Sequence, residues 1–268
     1  NSCRGQKRRA DEGWGKILRI KGKIIVASMI VFCVLCFAAV AFYFLGNNTQ
    51  PSNQQQTAAI LQVAGLATPG KSDAVAMQTL FERRVIVRQV NLDSGALLPA
   101  SSRQDAQKSC VNLAADQDPA QVRQRCNIAD VYLVQNNDHQ IQQVIIPVSG
   151  KGAKSMMHAF IALETDGRTV KNLLFYEQNE TPMLGAKVED PDWLRQWPGK
   201  KVLNDNAEPA LKVVQQRSGD ADEYTVDGIT GATMTSSGVE KSINFWLGDR
   251  GYGHFLQSIA KDKQILSN

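Results

Sequence analysis

The chain has 268 residues, 43% of them hydrophobic and 21% charged, with a formal net charge of +4. This is ordinary for a folded protein and supplies enough apolar residues for one sizeable domain or two small ones, which excludes a low-complexity or disordered chain. The excess of basic residues is confined to the first 23 positions, and the remainder, with 22 basic and 24 acidic residues, is slightly acidic.

Residues 1–23 form a basic tail in which Arg4, Lys7, Arg8, Arg9, Lys16, Arg19, Lys21 and Lys23 stand against Asp11 and Glu12. Residues 24–45 (IIVASMIVFCVLCFAAVAFYFL) carry no charge. As a helix, this stretch is about 33 Å long, enough for a hydrocarbon core of about 30 Å, so it is expected to be a single transmembrane helix. The basic flank places the N-terminus in the cytoplasm and everything after Leu45 on the opposite side, which in a bacterium is the periplasm. A cleaved signal peptide is the rival reading, because Ala39-Val40-Ala41 looks like a cleavage site. Against it, the apolar run continues through Phe42, Tyr43, Phe44 and Leu45. A basic tail can also grip nucleic acid, but its place beside a span accounts for it with less, and no nucleic-acid partner is expected.

Residues 46–56 (GNNTQPSNQQQ) read as a polar tether. Residues 57–130 are expected to hold periplasmic helices and a connecting segment. Within them, 57–68 and Ser72–Phe81 read as helices, Arg84–Leu92 as a strand, and 101–130 as polar surface. Cys110 and Cys126 lie 16 residues apart in the exported part, a separation that permits a disulfide without demanding one. Cys3, Cys33 and Cys36 stand in the tail and span. Neither the cysteines nor the scattered His139, His158 and His254 match a metal-ligand spacing.

Residues 131–268 hold the dense part of the domain. The runs 131–134 and 143–150, separated by Asn136-Asn137-Asp138, read as one hairpin, and 159–167 with 169–178 as a second, turning at Asp166-Gly167. Val239, Ile243, Trp246 and Leu247 share one face of a helix expected to begin near Ser237 and to stop at Gly248. The expected fold class is α+β, a mostly antiparallel sheet with flanking helices.

The stretch most suggestive of chemistry is Asp227-Gly-Ile-Thr230-Gly231-Ala232-Thr233-Met-Thr235-Ser236-Ser237-Gly238. It is a small-residue, hydroxyl-rich loop running into a helix. Helix N-termini leave N–H groups unpaired and favour anions, and the small Gly231 and Ala232 let a phosphate approach the backbone. On physical grounds alone, an ordinary Ser/Thr cap after a glycine turn explains the loop as well.

The same residues resemble the Ser/Thr-Gly-Ala-Thr flavinylation motif of FMN-binding domains in bacterial redox-driven ion pumps. The resemblance extends through ILQVAGL (60–66), IIPVSGKG (145–152), SMMHAFIALETDG (155–167), YEQNETPMLG (176–185), WLRQWPGKK (193–201) and FWLGDRGYGHFL (245–256). Together these are similar to the NqrC family, one of the subunit families of the Na+-translocating NADH:quinone oxidoreductase. The resemblance implies a covalent FMN joined by a phosphoester to Thr233, attached by a Mg-dependent flavin transferase that uses FAD and reads Asp227, Gly231 and Ala232. Thr230 is placed with them in the cofactor site. Thr235, a hydroxyl donor at the start of the helix, is also placed in the cofactor site, and the resemblance further implies that Glu180, Thr181 and Leu184 of the E-T-P segment contact the flavin. The expected role is that of an electron-carrier subunit in a six-subunit, inner-membrane complex that couples NADH oxidation and quinone reduction to Na+ export.

Two departures stand out: Met183 occupies a position usually held by glycine, and Ala153-Lys154 replaces a pair that often includes an aromatic residue. No G-x-G-x-x-G fingerprint, general base or nucleophile pair is evident, so the chain is not expected to be catalytic alone. The alternatives are the FMN-carrying subunit of the related ferredoxin–NAD (Rnf-type) complex, typically a shorter chain, or an unflavinylated periplasmic scaffold.

Overall fold

The computed structural model describes residues 53–68, 73–99, 109–215 and 222–267. The expected basic tail, the span at 24–45 and most of the tether lie outside the described residues. Among the described residues, no helix is long and apolar enough to cross a membrane.

The chain enters through α1 (Asn53–Val63) and α2 (Ala74–Arg84). Gly65, at φ 73°, ends the first helical segment, with the Leu66 N–H bonding back to the Leu61 carbonyl at 2.8 Å. Asp73 caps α2 by accepting from the Ala76 N–H at 2.8 Å. The main sheet then forms from β1 (Val85–Asn91), β2 (Leu97–Leu98), β5 (Ile128–Gln135), β6 (Ile141–Lys151), β7 (Met156–Leu163) and β8 (Val170–Glu177), in the order β2-β1-β5-β6-β7-β8. Every pairing in it is antiparallel. Both expected hairpins are present. β1 pairs with β5 along its whole length, so the sheet draws on residues from both sides of position 130.

The period-2 alternation of the central strands decides the layering. Val144, Ile146 and Val148 of β6, with Ala159, Ile161 and Leu163 of β7, point into the larger core. Ile145, Phe160 and Ala162 point the other way, onto Ala59, Ile60, Leu61 and Val63 of α1. Both faces are therefore covered, which is why these strands read as nearly continuous apolar runs. The larger core is closed by α4 (Thr233–Leu247) and α5 (Gly253–Lys261).

Smaller elements complete the fold. The hairpin β3 (Cys110–Asn112) and β4 (Gln124–Cys126) is stapled by the disulfide Cys110–Cys126, the two residues facing each other across the ladder. A one-turn helix, α3 (Pro191–Leu194), and the parallel pair β9 (Lys212–Val214) and β10 (Thr225–Asp227) lead into the motif loop.

Helix boundaries differ from the expectation: α1 runs Asn53–Val63, beginning inside the expected tether 46–56, and α2 runs to Arg84 rather than Phe81. α4 begins at Thr233, not near Ser237. Ser236 and Ser237 do not cap it; Ser236 lies inside the first turn, where its Oγ accepts the Ile229 N–H at 2.9 Å. The helix packs so closely on β6 that a Cβ on Gly238 would lie 2.4 Å from the Lys151 carbonyl oxygen, which fixes a glycine there.

Candidate functional site

The motif loop is held from below. Trp193 Nε1 donates to the Asp227 carbonyl at 2.7 Å, and the Asp227 N–H donates to Gln196 Oε1 at 3.0 Å. The W-L-R-Q-W run therefore grips the start of the motif through its backbone. Gly231 turns the chain at φ 78°, and Ala232 precedes the helix without contributing a side-chain cap. Thr230 and Thr233 are exposed, while Ala232 is buried. Thr233 Oγ1 donates to Gln215 Oε1 at 3.2 Å. The attachment candidate thus presents an exposed hydroxyl on the first residue of a 15-residue helix.

Beside this turn lies the E-T-P segment. Thr181 is exposed, and its carbonyl accepts the N–H groups of Leu184 and Ala186, both at 3.2 Å. Leu184 packs against Gly231, its Cδ2 lying 3.2 Å from where a Cβ would stand. Leu184 is 42% exposed, Met183 79% and Met234 69%, so apolar side chains stand in solvent next to both Gly231 and Thr233. Met183 adopts φ 62°, a left-handed conformation natural to glycine and costly for a long side chain.

Glu180, expected among the flavin contacts, lies buried beneath this turn. It is only 3% exposed, and its carboxylate is turned inward. Oε1 accepts the N–H of Lys154 at 3.0 Å, the N–H of Ser155 at 2.7 Å and the Ser155 hydroxyl at 2.9 Å. Oε2 accepts the Ala153 N–H at 3.0 Å and the Thr235 hydroxyl at 2.7 Å. Burial pushes this carboxyl up, but the bonds from Ser155, Thr235 and Lys154 outweigh it and hold the group at about 2, against an ordinary 4.5. No room is left around it: a Cβ on Gly152 would meet Oε1 at 2.7 Å, and one on Gly185 would meet Oε2 at 2.8 Å.

The structure brings Asp227, Thr230, Gly231, Ala232, Thr233 and Thr235 together on one loop-to-helix turn, with Leu184 against it and Glu180 beneath it. Gln215, Trp193, Gln196 and Ser155 are neighbours that the sequence reading did not assign to the site. Nothing local marks them, because each reaches the site across at least 18 residues.

An exposed hydroxyl at a helix N-terminus beside a glycine turn suits a phosphate-bearing group, and the exposed apolar side chains next to it offer apolar surface. The sequence pattern of the FMN-binding domain family matches residues 152–248, which include both the Glu180 clamp and the Thr233 turn. Full-length relatives narrow the class. The chain is 38% identical to the NqrC subunit of the Na(+)-translocating NADH-quinone reductase of Yersinia pestis, over 90% of this chain and 93% of that one. It is also 38% identical to the corresponding subunit of Vibrio alginolyticus, over 91% and 95% of the two chains. The crystal structure of Shewanella oneidensis NqrC superposes with a TM-score of 0.68 at 28% identity, covering 79% of this chain and all of that one. The chain belongs to the NqrC family of Na+-translocating NADH-quinone reductase subunits.

Proposed function

We propose that the chain carries FMN covalently on Thr233 and passes electrons as the NqrC subunit of a membrane NADH:quinone reductase that exports Na+. The observation that carries this reading is the exposed Thr233 hydroxyl on the first turn of α4, flanked by Gly231 and Leu184. The N–H groups of that turn and the helix dipole favour the phosphate. Leu184, Met183 and Met234 offer apolar surface to the ring, and Thr181 a neighbouring hydroxyl.

Attachment needs FAD as co-reactant and a flavin transferase. The Thr233 oxygen forms a bond to the phosphorus of the FMN half as the anhydride bond to AMP breaks. AMP leaves, and the hydroxyl proton passes to a base of the transferase. A bound flavin supplies the redox chemistry, and the protein supplies position and electrostatics. A covalent link suits a domain outside the cytoplasm, where a dissociated cofactor is lost.

In this reading the tail 1–23 is cytoplasmic, 24–45 spans the bacterial inner membrane, a tether follows up to the start of α1 at Asn53, and the rest of the chain lies in the periplasm. The partners are the other subunits of the six-subunit complex.

Peptide mass spectrometry of the fragment from Asp227 to Lys241, taken from cells that contain the transferase, tests it. A mass gain of FMN less one water on Thr233, lost in Thr233→Ala, is the expected result. An unmodified peptide beside an active transferase would leave the domain as an unflavinylated scaffold.

A further inference from the structure

Glu180 is the point at which three separated stretches of chain meet. Its own segment follows β8, the 153–155 loop joins β6 to β7, and Thr235 lies on the first turn of α4, two residues after Thr233. Five donors converge on two carboxylate oxygens, filling the roughly four lone-pair sites that such a group offers. Three of the five are backbone N–H groups, and each is strengthened by the acceptor's charge.

Beyond the packing of Ala232 in the core, few other side-chain hydrogen bonds among the described residues tie the first turn of α4 to its neighbours. Its N-cap residue, Ala232, makes no side-chain capping bond. The bond from Thr233 to Gln215 is long and exposed. Ser236 ties the preceding loop through Ile229 but does not reach the neighbouring segments. The bond from Thr235 to Glu180 is short and buried, and it places a carboxylate at the positive end of the helix dipole. Glu180 thus anchors the first turn from 55 residues away, through the Thr235 hydroxyl rather than through a backbone N–H as a local cap does.

We propose that Glu180 is a positioning residue, which by binding Thr235 and the 153–155 loop on one carboxylate holds the first turn of α4 so that Thr233 is presented to the flavin transferase. This rests on the reading of Thr233 as the attachment residue. Preorganisation of this kind has a kinetic signature. When only a fraction of acceptor chains has the competent turn, the apparent affinity falls by that fraction, while turnover at saturation is retained.

The test uses the full chain in detergent with purified transferase, FAD and Mg2+, comparing wild type with Glu180→Gln. The expected result is a KM for the acceptor chain raised about tenfold with kcat within about twofold. In the same variant, the amides of 153–155 should exchange with solvent at least about tenfold faster, while those of β5 are unchanged. A KM within about twofold of wild type, or a fall in kcat at unchanged KM, overturns the assignment. Should Glu180→Gln fail to fold, the pair Ser155→Ala, Thr235→Val removes two donors and leaves the carboxylate in place, and the same criteria apply. A wild type that accepts no FMN defeats the flavin reading itself. A labelled wild type beside a variant with an unchanged KM for the acceptor chain defeats only the role of Glu180.

Discussion

Thr235 Oγ1 donates a 2.7 Å hydrogen bond to Glu180 Oε2, joining the first turn of α4 to a segment 55 residues earlier in the chain. The same carboxylate holds the loop that follows β6, so the strand hairpin and the motif helix share one buried anion. This linkage gives the site a dependence on pH that an exposed surface carboxylate does not have.

The folded-state pKa of Glu180, about 2, lies below its ordinary 4.5. A depressed carboxyl contributes stability that is fully present above the ordinary value and is lost as pH falls toward the folded value. The window is therefore roughly pH 4.5 down to 2, and the contribution at neutral pH is about 2 kcal/mol after allowing for solvent screening. Glu180→Gln should lose about that much at pH 7 and show a flatter fall in stability across the window. Denaturant unfolding at pH 7 and pH 3 measures both quantities. Equal acid sensitivity in variant and wild type would assign the lost stability to other carboxylates.

Much of this fold was legible because its strands alternate. The expected hairpins and the helix face of Val239, Ile243 and Leu247 follow from apolar spacing alone. Thr233 was singled out only by the motif's resemblance, since a small, hydroxyl-rich turn has an ordinary capping explanation as well. The start of α4 was misplaced because Ser236 and Ser237 look like caps, and only the fold turns Ser236 inward to Ile229. The burial of Glu180 was not legible. Its donors come from residues 153–155 and 235, and no local pattern announces a contact between such distant segments. The pairing of Cys110 with Cys126 was left open by their spacing and is settled by the register of β3 on β4.

Met183 holds φ 62° with its side chain in solvent. The left-handed region costs a residue with a Cβ about 1–2 kcal/mol, while glycine's extra freedom in the unfolded chain costs about 0.5–1 kcal/mol. The first term is larger, so Met183→Gly should stabilise the unflavinylated protein by roughly 0.5–1 kcal/mol. Thermal unfolding before flavin attachment checks this. A lower melting temperature in the glycine variant would mean that the Met183 side chain makes contacts outweighing its backbone strain.

The disulfide closes a loop over a sequence separation of 16. Loops of that size gain about 3 kcal/mol from cross-linking, chiefly by restricting the unfolded chain. The loop also carries Ala120, whose carbonyl accepts the Lys151 N–H at 2.8 Å at the end of β6. Replacing both Cys110 and Cys126 with serine should cost about 2–3 kcal/mol in denaturant unfolding, and the same loss should appear in wild type under reductant. A double variant as stable as the oxidised wild type would show that the 109–127 segment is held by its hydrogen bonds alone.

Trp193 supports the motif through a single bond from Nε1 to the Asp227 carbonyl, while its ring packs edge-on against Trp197 at a centroid distance of 5.5 Å. Trp193→Phe keeps an aromatic ring but removes the donor and part of the volume. The lost bond and the space left behind should together cost about 1–3 kcal/mol, because the Trp193 side chain is 8% exposed and packs in the larger core. The Asp227 N–H keeps its partner in Gln196, so the loop should loosen without detaching. Attachment of FMN to Thr233 should therefore slow but remain complete after long incubation with transferase, and time-resolved intact-mass measurements follow it. Wild-type kinetics in this variant, together with the expected loss of stability, would show that Trp193 supports the fold and leaves the motif's presentation to Gln196, Gln215 and Glu180.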